Sequence, residues 1–494
     1  MILKKHSLKK NYLYLLLSST LPQIIAFIAQ FYFRKNLPIE FFGIWTYLNV
    51  IIGYSNFLYS PIRTTIDWKG PLLAEEHLLK EKKILLGSTF LLMNIVSILL
   101  IISSILFFKY FLNIEHKLIF YGAFLSVLII QKGFRSYFEM IFRNEKWYDI
   151  IYKLRLFFDI LLPLAQFILV LIFGWSGILF ALILISALYF FTLLTIGFKK
   201  VDFTIKINSH NLFIFKDNIK NVLTKGGTFL ISGIAVSVLF TLDQIIIEYY
   251  FGLTELGLYS FAIFFMDKSL LIGVPLIMIF RPHFFEWYNK IKKDKIRLSY
   301  EKLNNYLFKS LFPIVLIQGV FICILPILIK NVYVDYIPIL SSLLILSIVP
   351  IFRFSPEIIN MLLVANKEFN KMIYITFCAL ALEVIIYMVV IYYFKSIFLM
   401  SIAVLITSIL YYTIYLFWVI REQKLLFYNQ HNKFFSLYFL YLLSLVIINF
   451  LEVELVTIIT AYLILTVILV KYILKKIFHL PNFTSIVKEI KTFN

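Results

Sequence analysis

Nine ionisable residues interrupt long apolar runs in this 494-residue chain: Lys132, Arg135, Asp159, Asp243, Asp267, Lys268, Arg353, Glu357 and Glu383. In "FTLDQIIIEYYFG" (240–252), for example, Asp243 stands among Ile, Leu, Phe and Tyr, with Glu248 nearer the end of the run. A charged group in hydrocarbon costs at least ~2.5–3.5 kcal/mol, so such groups face a bundle interior or a wet cavity. The four cations have the chemistry of anion binding: Arg offers a planar fork that matches phosphate oxygens, and Lys a point charge. The carboxylates can balance those cations or take up a coupling proton or sodium ion. Arg353 and Glu357, like Arg135 and Glu139, are four residues apart and share a helix face, so each pair can instead lock helices together. Lys132 can likewise snorkel towards the inner surface.

The elements that must hold these groups are membrane-spanning helices. The chain is 61% hydrophobic and 18% aromatic, far above the ~45–50% apolar content of a soluble globule. Its apolar runs are each about 20 residues long, enough to cross ~30 Å of hydrocarbon as a helix. The ten-residue alternation of an outer-membrane barrel is missing. An all-α polytopic fold follows, with fourteen spans near 12–33, 41–62, 84–108, 118–138, 151–173, 176–197, 226–251, 257–280, 304–329, 338–364, 372–394, 396–420, 434–451 and 455–473. The basic start "MILKKHSLKK" resembles a signal peptide, but the apolar stretch after it is too long, and it reads as a retained first helix.

Charge sets the orientation. With the N-terminus inside, the inner segments carry 37 Lys and Arg and the outer ones 6. Basic loops stay in the cytoplasm, so both termini are expected there. Most of the +20 net charge is thereby explained as topology, which argues against a nucleic-acid partner. At 1.5 Å per residue, Lys268, Arg353, Glu357 and Glu383 fall nearest mid-depth. Lys132, Arg135 and Asp159 fall in the inner half, and Asp243 in the outer half.

A repeat is legible in two outer turns. "NLPIEFFGIWTY" (36–47) follows span 1 and "FGLTELGLYSFA" (251–262) follows span 7, with Gly43 and Gly257 in matching places 214 residues apart. Spans 1–6 and 7–12 therefore read as parallel repeats, a transporter architecture with its site between lobes near the midplane. The expected divisions are a first six-helix lobe (1–198), a cytoplasmic linker (199–223), a second six-helix lobe (224–420), two additional helices (434–473) and a cytoplasmic tail (474–494).

The stretches "FFGIWTYLNVIIGYSNFLYSPI" and "LDQIIIEYYFGLTELGLYSFAIFFMDKSLLIGVPL" resemble bacterial lipid-linked oligosaccharide flippases. These are the O-antigen and capsule exporters of the multidrug/oligosaccharidyl-lipid/polysaccharide superfamily. The resemblance implies translocation of an undecaprenyl-pyrophosphate-linked glycan across the bacterial inner membrane by alternating access. Membrane lipids and other glycan-assembly proteins would be its partners. On that reading Lys268 and Arg353 are the expected phosphate contacts, with Arg135 and Lys132 as inner contacts. Asp243, Asp267, Glu357, Glu383 and Asp159 would balance charge, hydrogen-bond sugar hydroxyls or couple to an ion.

Other classes fit less well. No P-loop, serine-hydrolase elbow or zinc signature occurs, and "TKGGTF" (224–229) reads as a helix start. The seven His are scattered and the two Cys (323 and 378) lie within spans, so neither a metal, another cofactor nor a disulfide is expected. A glycan polymerase or glycosyltransferase would present a large outer loop, whereas the outer turns here are short. A drug or cation antiporter of the same superfamily is the nearer alternative, although mid-depth Lys and Arg do not suit a cationic cargo.

Overall fold

The computed structural model describes residues 8–72, 79–110, 116–145, 147–201, 209–270, 273, 277, 296–365, 368–423, 426–450, 462 and 464–466. Among them every regular element is helical. Among the described residues seven helices are long and apolar enough to cross a membrane, or eight when a bent pair is taken as one span. The chain is a multi-pass, all-α membrane protein.

The first half contains α1 (Leu8–Asn36), α2 (Ile39–Phe57), α3 (Ser60–Leu72), α4 (Leu79–Tyr110), α5 (His116–Asn144), α6 (Tyr148–Phe173) and α7 (Ser176–Lys200). The second contains α8 (Ser209–Phe251), α9 (Leu253–Ser269), α10 (Ile296–Asn331), a 3-10 turn (Val334–Ile339), α11 (Leu340–Leu346), α12 (Val349–Ala365), α13 (Phe369–Tyr393), α14 (Ile397–Gln423) and α15 (Leu426–Phe450). One buried apolar cluster draws only on residues between Ala29 and Val222. Two others draw their buried members from Leu239 to Val446 and from Ile247 to Val404. The expected fourteenth span and the tail fall largely outside the described residues. Its described part meets α15 where the hydroxyls of Tyr441 and Thr466 share a hydrogen bond of 3.0 Å.

Helix α8 and the tenth span are among the elements that depart from expectation. Helix α8 starts at Ser209, so Gly226 and Gly227 lie inside it instead of opening it. Each mid-helix Gly costs roughly 1 kcal/mol against Ala. Packing offsets this, because the added turns dock on the first half: Lys69 Nζ donates to Asp217 Oδ2 at 3.1 Å and to Asn218 Oδ1 at 2.8 Å, and Val222 joins the first core. The tenth span is broken, with its two parts meeting at a bend of 42° around Ser347 and Ile348. Pro350 follows the break, in the first turn of α12, where its missing N–H costs nothing.

The halves meet along α2 and α9. A Cβ on Gly43 would strike the Leu253 carbonyl, and a Cβ on Gly257 would strike the Ile39 carbonyl. Further along the seam, Tyr54 and Thr241 share a hydroxyl–hydroxyl hydrogen bond of 2.6 Å. Phe27 of α1 stacks on Phe264 of α9 and Phe321 of α10, with ring centroids 5.4 and 5.9 Å apart.

Candidate functional site

In the second half, the expected ionisable residues converge. Gly252, at φ 91°, makes the tight reversal between α8 and α9 that a side chain would strain. The reversal lays α9 back along α8, and the Tyr259 hydroxyl donates to Asp243 Oδ2 at 2.7 Å. The break before α12 sets Arg353 one turn into that helix. Its Nε donates to Ser408 Oγ on α14 at 3.3 Å and its Nη1 to the Phe240 carbonyl oxygen on α8 at 3.2 Å. The guanidinium carbon also lies 4.9 Å from the centre of the Phe240 ring. Glu383 on α13 completes the group, and Asp243 and Glu383 both lie within electrostatic reach of Arg353. Asp243 and Glu383 are each 1% exposed and Arg353 7%. Among the described residues Asp243 Oδ1 and Glu383 Oε2 are buried without a well-formed hydrogen bond, and the Tyr387 hydroxyl stands beside Glu383. Buried charge is tolerated only when paired and hydrogen-bonded. Asp267 lies within electrostatic reach of the same Arg353 and of Asp243, so carboxylates outnumber the enclosed cation, an arrangement able to take up a further positive charge.

Lys268 behaves differently. Helix α9 ends at Ser269, inside the expected eighth span, so Lys268 occupies its last turn. Its Nζ reaches across to the first half and donates to Gln23 Oε1 of α1 at 2.6 Å. Among the described residues it forms no ion pair, and Asp267 beside it is exposed. Lys268 thus stands on the seam between the halves, whereas Arg353 is enclosed in the second.

The first half holds a denser network. Arg135 Nε donates to Glu139 Oε1 at 3.0 Å, and its Nη2 to Asp159 Oδ2 at 2.9 Å. Arg155 donates to both oxygens of Glu139, and the Tyr189 hydroxyl donates to Glu139 Oε1 at 2.9 Å. The Arg135 guanidinium lies 4.4 Å from the Tyr189 ring centre. Arg135 and Asp159, separate candidates in the sequence, are therefore partners. Lys132, three residues before Arg135, is exposed and forms no ion pair among the described residues. Among the described residues no cluster of His, Cys, Asp and Glu has metal-holding geometry, and Cys323 and Cys378 are free thiols.

Sequence reasoning overlooked Gln23, Ser408, Arg155 and Arg34. Gln23 and Ser408 are uncharged and give no signal within a span. Arg155 and Arg34 were counted among the loop cations. Glu357 shares the helix of Arg353, but the hydrogen bonds of Arg353 run to other helices.

No protein-family model matches the sequence, and no curated protein matches it significantly. Solved structures do. A multidrug resistance MATE family transporter of the MOP superfamily, in its inward-facing conformation, matches with a TM-score of 0.61 at 14% identity, over 81% of this chain and 94% of that one. An outward-facing conformation of such a transporter gives the same TM-score and identity, over 84% and 95%. A MOP superfamily transporter from Pyrococcus furiosus, described with "reverse polarity of binding pocket", matches with a TM-score of 0.57 at 13% identity, over 83% and 95%. At such identities the likeness is one of fold: the chain has the fold of MOP superfamily transporters.

Proposed function

We propose that this protein is a flippase that carries a polyprenyl-pyrophosphate-linked oligosaccharide, such as an O-antigen or capsule repeat unit, from the inner to the outer leaflet of a bacterial cytoplasmic membrane. On this reading it is a transporter and no enzyme, both termini are cytoplasmic, and residues 1–198 and 224–420 move as two lobes. The observation that carries the reading is Lys268: a cation expected at mid-depth, on the seam, held by an uncharged Gln23 and with no ion pair among the described residues. Such a group needs an anion or water to offset its desolvation, and a pyrophosphate headgroup supplies the anion. Exposed Lys132 provides a second unpaired cation on the inner side. Arg353, enclosed with Asp243 and Glu383, takes the subsidiary part of balancing the carboxylates and meets phosphate only when the second lobe loosens. The Asp243–Glu383 pair is the place for a coupling proton or sodium ion.

Alternating access follows from lobes that rock about the seam, with the lipid tail left in the bilayer. Deleting the gene and analysing lipid extracts by mass spectrometry tests the proposal. The lipid-linked glycan should accumulate, and wild-type levels of that lipid together with normal surface glycan would refute it. The multidrug antiporter is the second reading, favoured by the unsatisfied carboxylate oxygens of Asp243 and Glu383. It forecasts increased drug sensitivity with no change in surface glycan.

A further inference from the structure

The outer end of the seam holds a cation that the proposed site does not use. Arg34, one turn from the end of α1, is 7% exposed. Its Nη1 donates to Ser260 Oγ and its Nη2 to the Ser260 carbonyl oxygen, both at 3.1 Å, on α9 of the other half. Three rings surround the guanidinium, those of Phe42, Phe261 and Phe264, with centres 4.5, 5.0 and 5.4 Å away. Among the described residues Arg34 forms no ion pair, and the Tyr336 hydroxyl is the polar group that stands beside its guanidinium. Ser260 lies one turn beyond Gly257 and donates to the Gly257 carbonyl at 2.6 Å. The clamp is thus seated on the turn where α2 and α9 touch backbone to backbone.

A buried guanidinium answered by hydroxyls, a carbonyl and aromatic faces, with no carboxylate, is an uneconomical way to glue two helices, because an apolar side chain of equal volume avoids the desolvation. It is well suited to a joint that must open. Leaving Ser260 strands no carboxylate on the other lobe, and the guanidinium is readily hydrated once the seam parts. Helices α1 and α9 are then tied at two levels, Lys268 to Gln23 at mid-depth and Arg34 to Ser260 outside.

We propose that Arg34 is the latch of the outer gate: seated on Ser260 it holds the outer ends of the lobes together, and it must leave for the cavity to open outward. The inference goes beyond the glycan reading and is independent of the cargo.

Pulsed dipolar spectroscopy tests it, with spin labels on the exposed Asn36 and Asp335 in protein whose Cys323 and Cys378 are replaced by Ala, reconstituted in nanodiscs. The parent should show mainly the short distance of a closed outer side. Arg34→Ala should raise the long-distance fraction about tenfold or more, since two charge-assisted hydrogen bonds are lost. Ser260→Ala, which removes one acceptor, should raise it less, and Arg34→Lys should fall between. Folded Arg34→Ala and Ser260→Ala proteins with the parent distribution would overturn the proposal. If Arg34→Ala fails to accumulate, unchanged distributions in Arg34→Lys and Ser260→Ala would overturn it equally.

Discussion

Gly43 and Gly257 form a reciprocal pair. Gly43 faces the carbonyl of Leu253, four residues before Gly257, and Gly257 faces the carbonyl of Ile39, four residues before Gly43. Each member of the first contact maps onto the second by the same 214-residue offset, as a local two-fold axis between α2 and α9 requires. Only residues without a Cβ let the backbones come so near, and small residues at helix crossings serve this purpose in membranes.

Substitution at either Gly should therefore damage the joint even when the new side chain is small. Gly43→Ala or Gly257→Ala forces backbone apart and should cost about 1–3 kcal/mol, the range for overpacking, with Leu worse than Ala. Thermal unfolding in detergent measures this. The two single variants should lose similar amounts, because each damages one half of the same symmetric contact.

The Glu139 network yields a stability forecast of another kind. Glu139 accepts from Arg135, Arg155 and Tyr189, so Glu139→Ala strands two guanidinium groups. The expected loss is about 3 kcal/mol, the lower end for a broken buried pair, since Arg135 and Arg155 keep 32% and 28% side-chain exposure. Replacing Asp159, which accepts from Arg135 alone and is 29% exposed, should cost clearly less. A reversed order in a melting series would show that Glu139 does not centre the network.

At the seam, Lys268→Ala should leave an inserted, folded protein whose transport falls at least tenfold, while Lys268→Arg retains part of it. Gln23→Ala should weaken transport less, because it orients Lys268 without supplying charge. Arg353→Ala should instead impair folding, since it leaves Asp243 and Glu383 as buried, uncompensated carboxylates. Adding Asp243→Asn or Glu383→Gln to Arg353→Ala should restore some of the protein level. Normal accumulation of the Arg353→Ala single variant would return Arg353 to the list of direct phosphate contacts.

Much of this was legible in sequence because the bilayer imposes a simple code. Apolar length fixed the helices, and the spacing of Gly43 and Gly257 flagged their shared role. Limits appear where three dimensions decide. "FRKNLP" reads as a span end, yet α1 continues through Arg34 to Asn36, and a buried Arg34 is made tolerable by rings of α2 and α9 and by Ser260 of the other half. "TKGGTF" reads as a helix start, yet docking of residues 209–222 on the first half carries α8 through both glycines. The i,i+4 spacing of Arg353 and Glu357 suggests a pair within one helix. The bend before α12 instead brings the guanidinium to Ser408 and Phe240, and no local pattern encodes a bend's direction.

The basic asymmetry makes a direct topological forecast. A cysteine at the exposed Lys216 should react with an impermeant thiol reagent in inside-out vesicles and not in spheroplasts, and one at the exposed Asp335 should do the reverse. Labelling of residue 216 from outside would invert the assignment of inner and outer gates together.

The central claim is translocation of a lipid-linked glycan, and a vesicle assay addresses it most directly. Purified protein is reconstituted with a polyprenyl-pyrophosphate oligosaccharide, and the fraction open to a membrane-impermeant glycosidase is followed over time. The account predicts that wild-type protein makes the shielded half of the lipid accessible, that Lys268→Ala does not, and that Lys268→Arg does so slowly. Glycan that stays half-shielded in wild-type vesicles, while the same vesicles take up a cationic dye against an ion gradient, would contradict it.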